Sequence, residues 1–544
     1  MAPSEQSPLL GEYLEPAAED ADRARQDHTN NHAIDEVDEL SNTQLISILF
    51  GPFLGIFLAA IDATLVATLS APISTSFDNM PLLSWLASAF FIATTVSQPI
   101  SGKLTDIYGR RNGFIVASIT FALGNLLCAL ATQEWVLILG RVVAGFGGGG
   151  IAPITSFIMS DLVPLRKRGM WQGVGNIFYG VGSGIGGPFG GWVNDTLGWR
   201  WAFVLQIPIT MVSVAFAASK IDLPPVKVSE HSKIKRVDVS GATLLLLSLV
   251  LMLLGLNSGG NLLPWTHPLV LVALCISPLL LVIFIFVEAN YALEPIIPVK
   301  LLMRRTVMSV CLSNWFIPMA RFGVLFYGPI YFQIQGYSPS EAGLRLIPES
   351  VAICITSISC GFIMRWTGRY YFLSMAAQTT FVLGLVLIST LQLGTPAWPP
   401  FIYLFLTGLG YSGMITTTSM AVIAAVDHQY QAVITSATYT FRSTGTVIGI
   451  TIASAVFRNV LRSQLRACLG DDSDARSIIS RLEHNLGAIH ELGSAMKEEA
   501  SQAYMSALRA VFLTLLGLAF FGVLAGSFMR EHKLHSRLSR RPSD

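Results

Sequence analysis

The sequence predicts an all-α membrane protein with about fourteen spanning helices. Three observations carry that reading: the composition, the spacing of the apolar runs and the placement of the basic residues. Of 544 residues, 52% are hydrophobic and 13% charged, where soluble domains carry about 25% charge. Apolar runs of about 20 residues, enough to cross a hydrocarbon core, fall near 45–70, 82–102, 113–131, 136–158, 169–191, 200–221, 240–257, 268–287, 306–332, 343–364, 370–391, 400–426, 431–456 and 507–529. Backbone polar groups in lipid must be satisfied within each segment, so these runs are read as helices. With the amino terminus in the cytosol, Lys103, Arg110 and Arg111 mark one cytosolic loop and Arg166, Lys167 and Arg168 the next. The short loops on the other side hold only Arg200. That asymmetry fits an even number of crossings.

Taken in order, residues 1–43 read as an acidic, disordered cytosolic tail, since the first 40 hold eleven acids against two arginines. The start lacks a basic stretch followed by an apolar one, so no signal peptide is expected. Within the tail, EQSPLLG sets Glu5 four residues ahead of Leu9 and Leu10. This is the acidic dileucine pattern that sorting adaptors read on endosomal and vacuolar routes, although so short a pattern also arises by chance. Six helices are expected over 44–222, a cytosolic loop over 223–239 and an inserted helix pair over 240–288. The second set of six is expected over 289–456 and 506–529. The intervening 457–505 segment is read as a long lumenal or extracellular loop. Its six basic residues, among them Arg458, Arg462 and Arg466, run against the charge rule, which long translocated loops follow poorly. Val460, Leu461, Leu465 and Leu469 give it amphipathic helical spacing. Residues 530–544 form a cytosolic tail.

Several function classes are excluded. Five of the six cysteines (Cys128, Cys275, Cys311, Cys354 and Cys360) lie within apolar segments and Cys468 stands alone, which suits packing rather than a disulfide scaffold. No zinc site, phosphate loop or catalytic triad is visible, so no cofactor, metal or enzymatic activity is expected. The net charge is +1 and the basic residues follow the topology, so nucleic acid is not an expected partner.

An internal repeat organises the chain. GKLTDIYGRR (Gly102 to Arg111) and GFIMRWTGRY (Gly361 to Tyr370) both read G-x-x-x-[charged]-x-x-G-R, 259 residues apart. Parallel repeats of this kind build alternating-access carriers, with cargo at the interface of the two halves.

GKLTDIYGRR resembles the loop signature of the major facilitator superfamily, G-x-L-x-D-x-x-G-R-[RK], carried here by Gly102, Asp106, Gly109, Arg110 and Arg111. LGRVVAGFGGGG at 139–150 resembles the fourth-spanner motif with its buried arginine, Arg141. GVGSGIGGPFGG at 180–191 resembles the fifth-spanner antiporter motif. The resemblance covers nearly the whole chain beyond residue 43. It implies the major facilitator fold, two six-helix bundles plus two additional helices, and fourteen spanners point to the drug:proton antiporter branch. Within that branch, LLSWLASAFFIATTVSQPISGKLTDIYGRR is similar to the fungal vacuolar basic amino-acid transporters. By resemblance, the loop latches the outward-facing state, while a purely topogenic role for its arginines stays open. Small residues four apart, as at Gly180, Gly184, Gly187 and Gly191, let helix backbones approach closely, and Pro188 can kink the helix. A cavity-sealing hinge and ordinary packing are both consistent with that spacing.

Candidate binding residues follow from charge. Asp62 is the one acid in FLAAIDATLVATLSAPI, 57–73. A mid-membrane charge costs about 2.5–3.5 kcal/mol, and such groups face a cavity or a partner. Burial favours the protonated form and a nearby arginine opposes it, so a carboxylate between those pulls can exchange a proton for a cation. The family places spanners one and four beside the cavity, which makes Arg141 a neighbour. The repeat offset carries position 62 to Arg321, and the two are expected to face each other across the cavity, as carrier groups or as a fixed pair. Glu349, after Pro348, is a second acid with a helix-end role as the alternative, and Arg442 in TFRSTGTVIG has a structural role as its alternative. The expected function is proton-coupled antiport of basic amino acids into the vacuole, with protons, a small solute, the lipid bilayer and a sorting adaptor as partners. Drug or toxin efflux at the plasma membrane is the second reading, and a non-transporting sensor a third.

Overall fold

The structure is a computed structural model that describes residues 41–77, 82–221, 239–259, 263–290, 299–337, 339–427, 430–469, 479, 482 and 494–532. Helices dominate the described residues, with one isolated bridge between Gly259 and Leu263. The N-terminal group comprises α1 (Asn42–Phe77), α2 (Leu82–Tyr108), α3 (Arg110–Leu130), α4 (Glu134–Leu162), α5 (Leu165–Leu197), α6 (Trp199–Val204) and α7 (Gln206–Lys220). Next come α8 (Val239–Ser258), α9 (Pro268–Asn290) and the short α10 (Val299–Leu302). The C-terminal group comprises α11 (Arg305–Ile334), α12 (Pro339–Leu344), α13 (Ile347–Thr367), α14 (Tyr371–Ser389), α15 (Pro399–Ala424), α16 (Gln431–Leu469) and α17 (Ser494–Ser527). The chain divides into two units, Met1–Leu45 and Ile46–Asp544. In the first, Ser41 Oγ accepts from the Gln44 N–H and Gln44 Oε1 from the Ser41 N–H, a reciprocal cap that starts α1. All contacts below lie in the second.

Each apolar segment read from the sequence falls on a helix, or on consecutive helices at 200–221 and 343–364. Ten stretches among the described residues are long and apolar enough to cross a membrane. A further apolar stretch among the described residues, Ser240–Leu256, lies in α8. Helix α15 buries Thr407, Ser412, Thr416, Thr417, Thr418 and Ser419, and α2 buries Thr95, Ser97, Gln98 and Ser101. Those polar side chains lower the apolarity of a helix but are enclosed by protein rather than facing lipid.

Each group has its own core, one including Ile61, Leu65, Cys128, Leu137 and Phe203, the other Ile317, Tyr331, Phe381, Leu404 and Phe512. Two seams join them: α5 packs on α13, and α2 on α16. The glycines of α5 explain how closely it packs. A Cβ at Gly186 would meet Thr64 Oγ1 at 2.0 Å on α1, and one at Gly173 would meet the Ser357 carbonyl at 2.6 Å on α13. The inserted pair is pinned by reciprocal bonds, Ser248 Oγ to Ser277 O at 2.9 Å and Ser277 Oγ to Ser248 O at 3.0 Å. Helix α8 lies against both α2 and α16, over that seam. Both α16 and α17 run into the 457–505 segment, where Leu461, Leu465, Ile479, Leu482 and Tyr504 form a small apolar core.

Candidate functional site

Two ion pairs are buried in the helix groups. In the first, Arg141 of α4 reaches Asp62 of α1, Nη1 to Oδ2 at 2.8 Å, with side chains 1% and 0% exposed. Arg141 Nε also donates to the Leu86 carbonyl at 3.2 Å, and the guanidinium lies 4.4 Å from the Phe90 ring centroid. Asp62 Oδ1 is buried and has no hydrogen-bond partner among the described residues. A helix turn brings Ile61 and Leu65 beside it into the apolar core, so water is displaced around the pair.

The second pair joins Arg321 of α11 to Glu349 of α13, Nε to Oε1 at 2.7 Å, with both side chains 3% exposed. Asp62 and Arg321 therefore do not pair with each other; each takes its ionic partner from its own group. Arg442 of α16 grips Asn314 Oδ1 through Nε at 3.2 Å and Nη2 at 2.8 Å. Asn314 Nδ2 in turn donates to Thr418 Oγ1 at 3.0 Å. Arg442 thus ties α16 to α11 and α15.

In the loop motif, Arg110 Nε meets Asp161 Oδ2 and Arg110 Nη1 meets Thr105 Oγ1, both at 3.0 Å. Gly109 has a φ of 91° and Gly368, its counterpart in the repeat, 68°. Only glycine takes that region without strain, so both copies turn the chain at the same point. A Cβ at Gly102 would meet Ser436 Oγ at 2.4 Å, which sets α2 hard against α16. Arg111 is exposed, and the side chain of Asp106 lies outside the described ones. Gly184 faces Ser350 of α13, Gly187 and Gly191 are half-buried, and α5 runs through an exposed Pro188 without a break. Glu5, Leu9 and Leu10 lie outside the described residues.

Uncharged residues complete the seams. Gln431 Oε1 accepts from Ser160 Oγ at 2.9 Å and Arg168 Nη1 at 3.1 Å, and Asn176 Nδ2 donates to Thr416 Oγ1 at 3.1 Å. Sequence reading passed over Gln431, Asn176 and Asn314. Asn314 alone carried a signal, lying two helical turns before Arg321 on the same face.

Apolar spanning helices, a repeated loop motif and a buried ion pair in each helix group define a polytopic membrane transporter. The chain belongs to the Major Facilitator Superfamily, whose family model matches residues 52–450. It is 35% identical over 499 residues to a protein named multidrug resistance protein fnx1 of Schizosaccharomyces pombe, covering 91% of this chain and 94% of that one. It is 31% identical to the vacuolar membrane amino acid uptake transporter fnx2 of the same yeast, covering 91% and 86%. To vacuolar basic amino acid transporter 1 of Saccharomyces cerevisiae it is also 31% identical, covering 77% and 79%. The fold matches the proton:xylose symporter XylE with a TM-score of 0.59 at 14% identity, covering 91% of this chain and 98% of that one. Family and relatives make this chain a transporter, not an enzyme.

Proposed function

We propose that the chain is a proton-coupled antiporter that carries basic amino acids into the vacuole by alternating access, with fourteen crossings arranged as two six-helix bundles and an inserted pair. The observation that carries the proposal is the wholly buried Asp62–Arg141 pair with its open Oδ1. A proton added to Oδ1 neutralises the carboxylate and weakens its hold on Arg141; loss of the proton restores the pair. Coupling that exchange to a change in which side is open requires the helix groups to rock, and the glycine-lined seams of α5 with α13 and α2 with α16 are the surfaces on which they would move. Protons leaving an acidic lumen would then drive cationic cargo the other way. The names of the amino-acid-transporting relatives support the cargo and the membrane, and the dileucine pattern at Glu5, Leu9 and Leu10 supports delivery there by a sorting adaptor.

Efflux of drugs across the plasma membrane is the second reading, favoured by the multidrug name of the 35%-identical relative. Purified protein in lipid vesicles separates the two. Labelled L-arginine should accumulate only with an imposed proton gradient, and Asp62→Asn should abolish the gradient-driven part. Gradient-driven movement of a cationic dye without arginine uptake, together with tagged protein at the cell surface, would establish efflux instead.

A further inference from the structure

Arg321 holds a hydrogen-bonding capacity that the described residues do not use. Its Nε is taken by Glu349 Oε1 at 2.7 Å. Its guanidinium carbon lies 4.4 Å from the Tyr411 ring centroid and 5.0 Å from that of Phe322. Its Nη1, though buried, has no hydrogen-bond partner among the described residues. Buried donors are nearly always satisfied, and one on a charged group is the costliest to leave open. An open, buried guanidinium edge therefore marks a place for an acceptor that the described residues do not supply.

The position of the group is consistent with such a place. Tyr179 of α5 is within electrostatic reach of both Arg321 and Tyr411. It lies one turn beyond Asn176, which bonds Thr416 across the seam. Phe322, next in the chain, meets Phe91 of α2 edge-on at 6.4 Å. Both helix groups thus wall the Arg321 cluster, at the interface where carriers of this architecture hold cargo.

We propose that the open Nη1 of Arg321 binds the α-carboxylate of the cargo, with Glu349 fixing the guanidinium through Nε, so that the site selects α-amino acids over the matching amines. The assignment rests on the amino-acid reading above and adds the group that reads the acid end. A planar guanidinium matches a carboxylate in geometry, and the pair is charge-assisted, so an analogue lacking the carboxylate leaves the donor unpaired.

The test is competition and thermal stabilisation with matched pairs on the purified full chain: L-arginine against agmatine, L-lysine against cadaverine, and L-leucine against isopentylamine. Each acid should bind at least about tenfold more tightly than its amine. In Arg321→Gln that preference should vanish, and Arg321→Lys should restore part of it. Because Arg321→Gln strands Glu349, the double variant Arg321→Gln/Glu349→Gln is measured beside it, and it too should lack the preference. A preference confined to the leucine pair overturns the basic-cargo reading and leaves the Arg321 assignment standing. Equal binding of acid and amine in every pair, or a preference that survives in the double variant, overturns the assignment.

Discussion

Arg141 and Asp62 close a 2.8 Å ion pair between α4 and α1 in which neither side chain has more than 1% exposure. Removing one partner from such a pair leaves a buried charge uncompensated, at about 3–5 kcal/mol. Arg141→Ala should therefore lower the melting temperature of the purified protein sharply, and Asp62→Ala nearly as much. Asp62→Asn still strands the Arg141 charge but keeps the shape and an acceptor oxygen for Nη1, so it should melt between Asp62→Ala and the wild type and no longer take up cargo in response to a proton gradient. Gradient-driven uptake by a folded Asp62→Asn protein would reduce the pair to a structural one.

The seam between α5 and α13 makes a different prediction, from space rather than charge. At Gly173 a Cβ would meet the Ser357 carbonyl at 2.6 Å, and at Gly361 one would meet Met170 Cα and the Gly169 carbonyl, each at 2.7 Å. These neighbours are backbone and cannot swing aside, so Gly173→Ala and Gly361→Ala should each cost about 1–3 kcal/mol and slow transport. Gly517 in α17 has nothing within 4 Å of its Cβ position. Gly517→Ala should be neutral or stabilising by up to about 1 kcal/mol. Thermal melts of the three variants side by side check the ranking.

How much of this was legible in the sequence depended on how strongly each feature was marked. Asp62 and Arg141 stood out because a lone charge in an apolar run is costly and has few benign explanations. Arg321 and Glu349 were visible for the same reason, yet the repeat offset pointed Arg321 towards Asp62. Partner choice depends on helix rotation and tilt, which apolar periodicity does not encode, and Glu349 wins by lying on the neighbouring α13. Helices α2, α5 and α15 were placed by their apolar runs although the enclosed polar residues dilute that signal. Gln431, Asn176 and Tyr179 carry no charge in an apolar context, so nothing in the sequence separated them from ordinary packing.

Gln431 joins the two groups at the end that carries the basic loops. Its Oε1 accepts from Ser160 of α4 and Arg168 of α5 while its Nε2 donates to the Ile423 carbonyl at 3.3 Å. Gln431→Leu keeps the bulk and removes the acceptor, so that end should open more often. Cysteines placed along α16 near residue 436 should then label faster with a membrane-impermeant thiol reagent applied from the cytosolic side, by several-fold. Unchanged labelling would mean that the close packing of Gly102 on Ser436 holds that end without the glutamine.

The residues after α17 cap the helix that follows the second loop motif. Glu531 Oε1 accepts from the Tyr370 N–H at 2.7 Å and Oε2 from the Tyr371 N–H at 3.1 Å, where α14 begins. Those are orphan donors of a helix N-terminus, and a carboxylate also opposes the positive end of the helix dipole. The Tyr370 hydroxyl doubles the tie, donating to the Arg530 carbonyl at 2.9 Å and accepting from the His532 N–H at 2.8 Å. Losing a capping side chain costs about 0.5–2 kcal/mol. Glu531→Ala should therefore lower the melting temperature more than Glu531→Gln, which keeps an acceptor and loses only the charge. Tyr370→Phe should fall by a similar margin, and combining it with Glu531→Ala should add less than the sum, since both act on one contact. Calorimetric melts of the four variants and the wild type in one detergent decide it: if Glu531→Ala melts with the wild type, this segment rests on α14 without stabilising it.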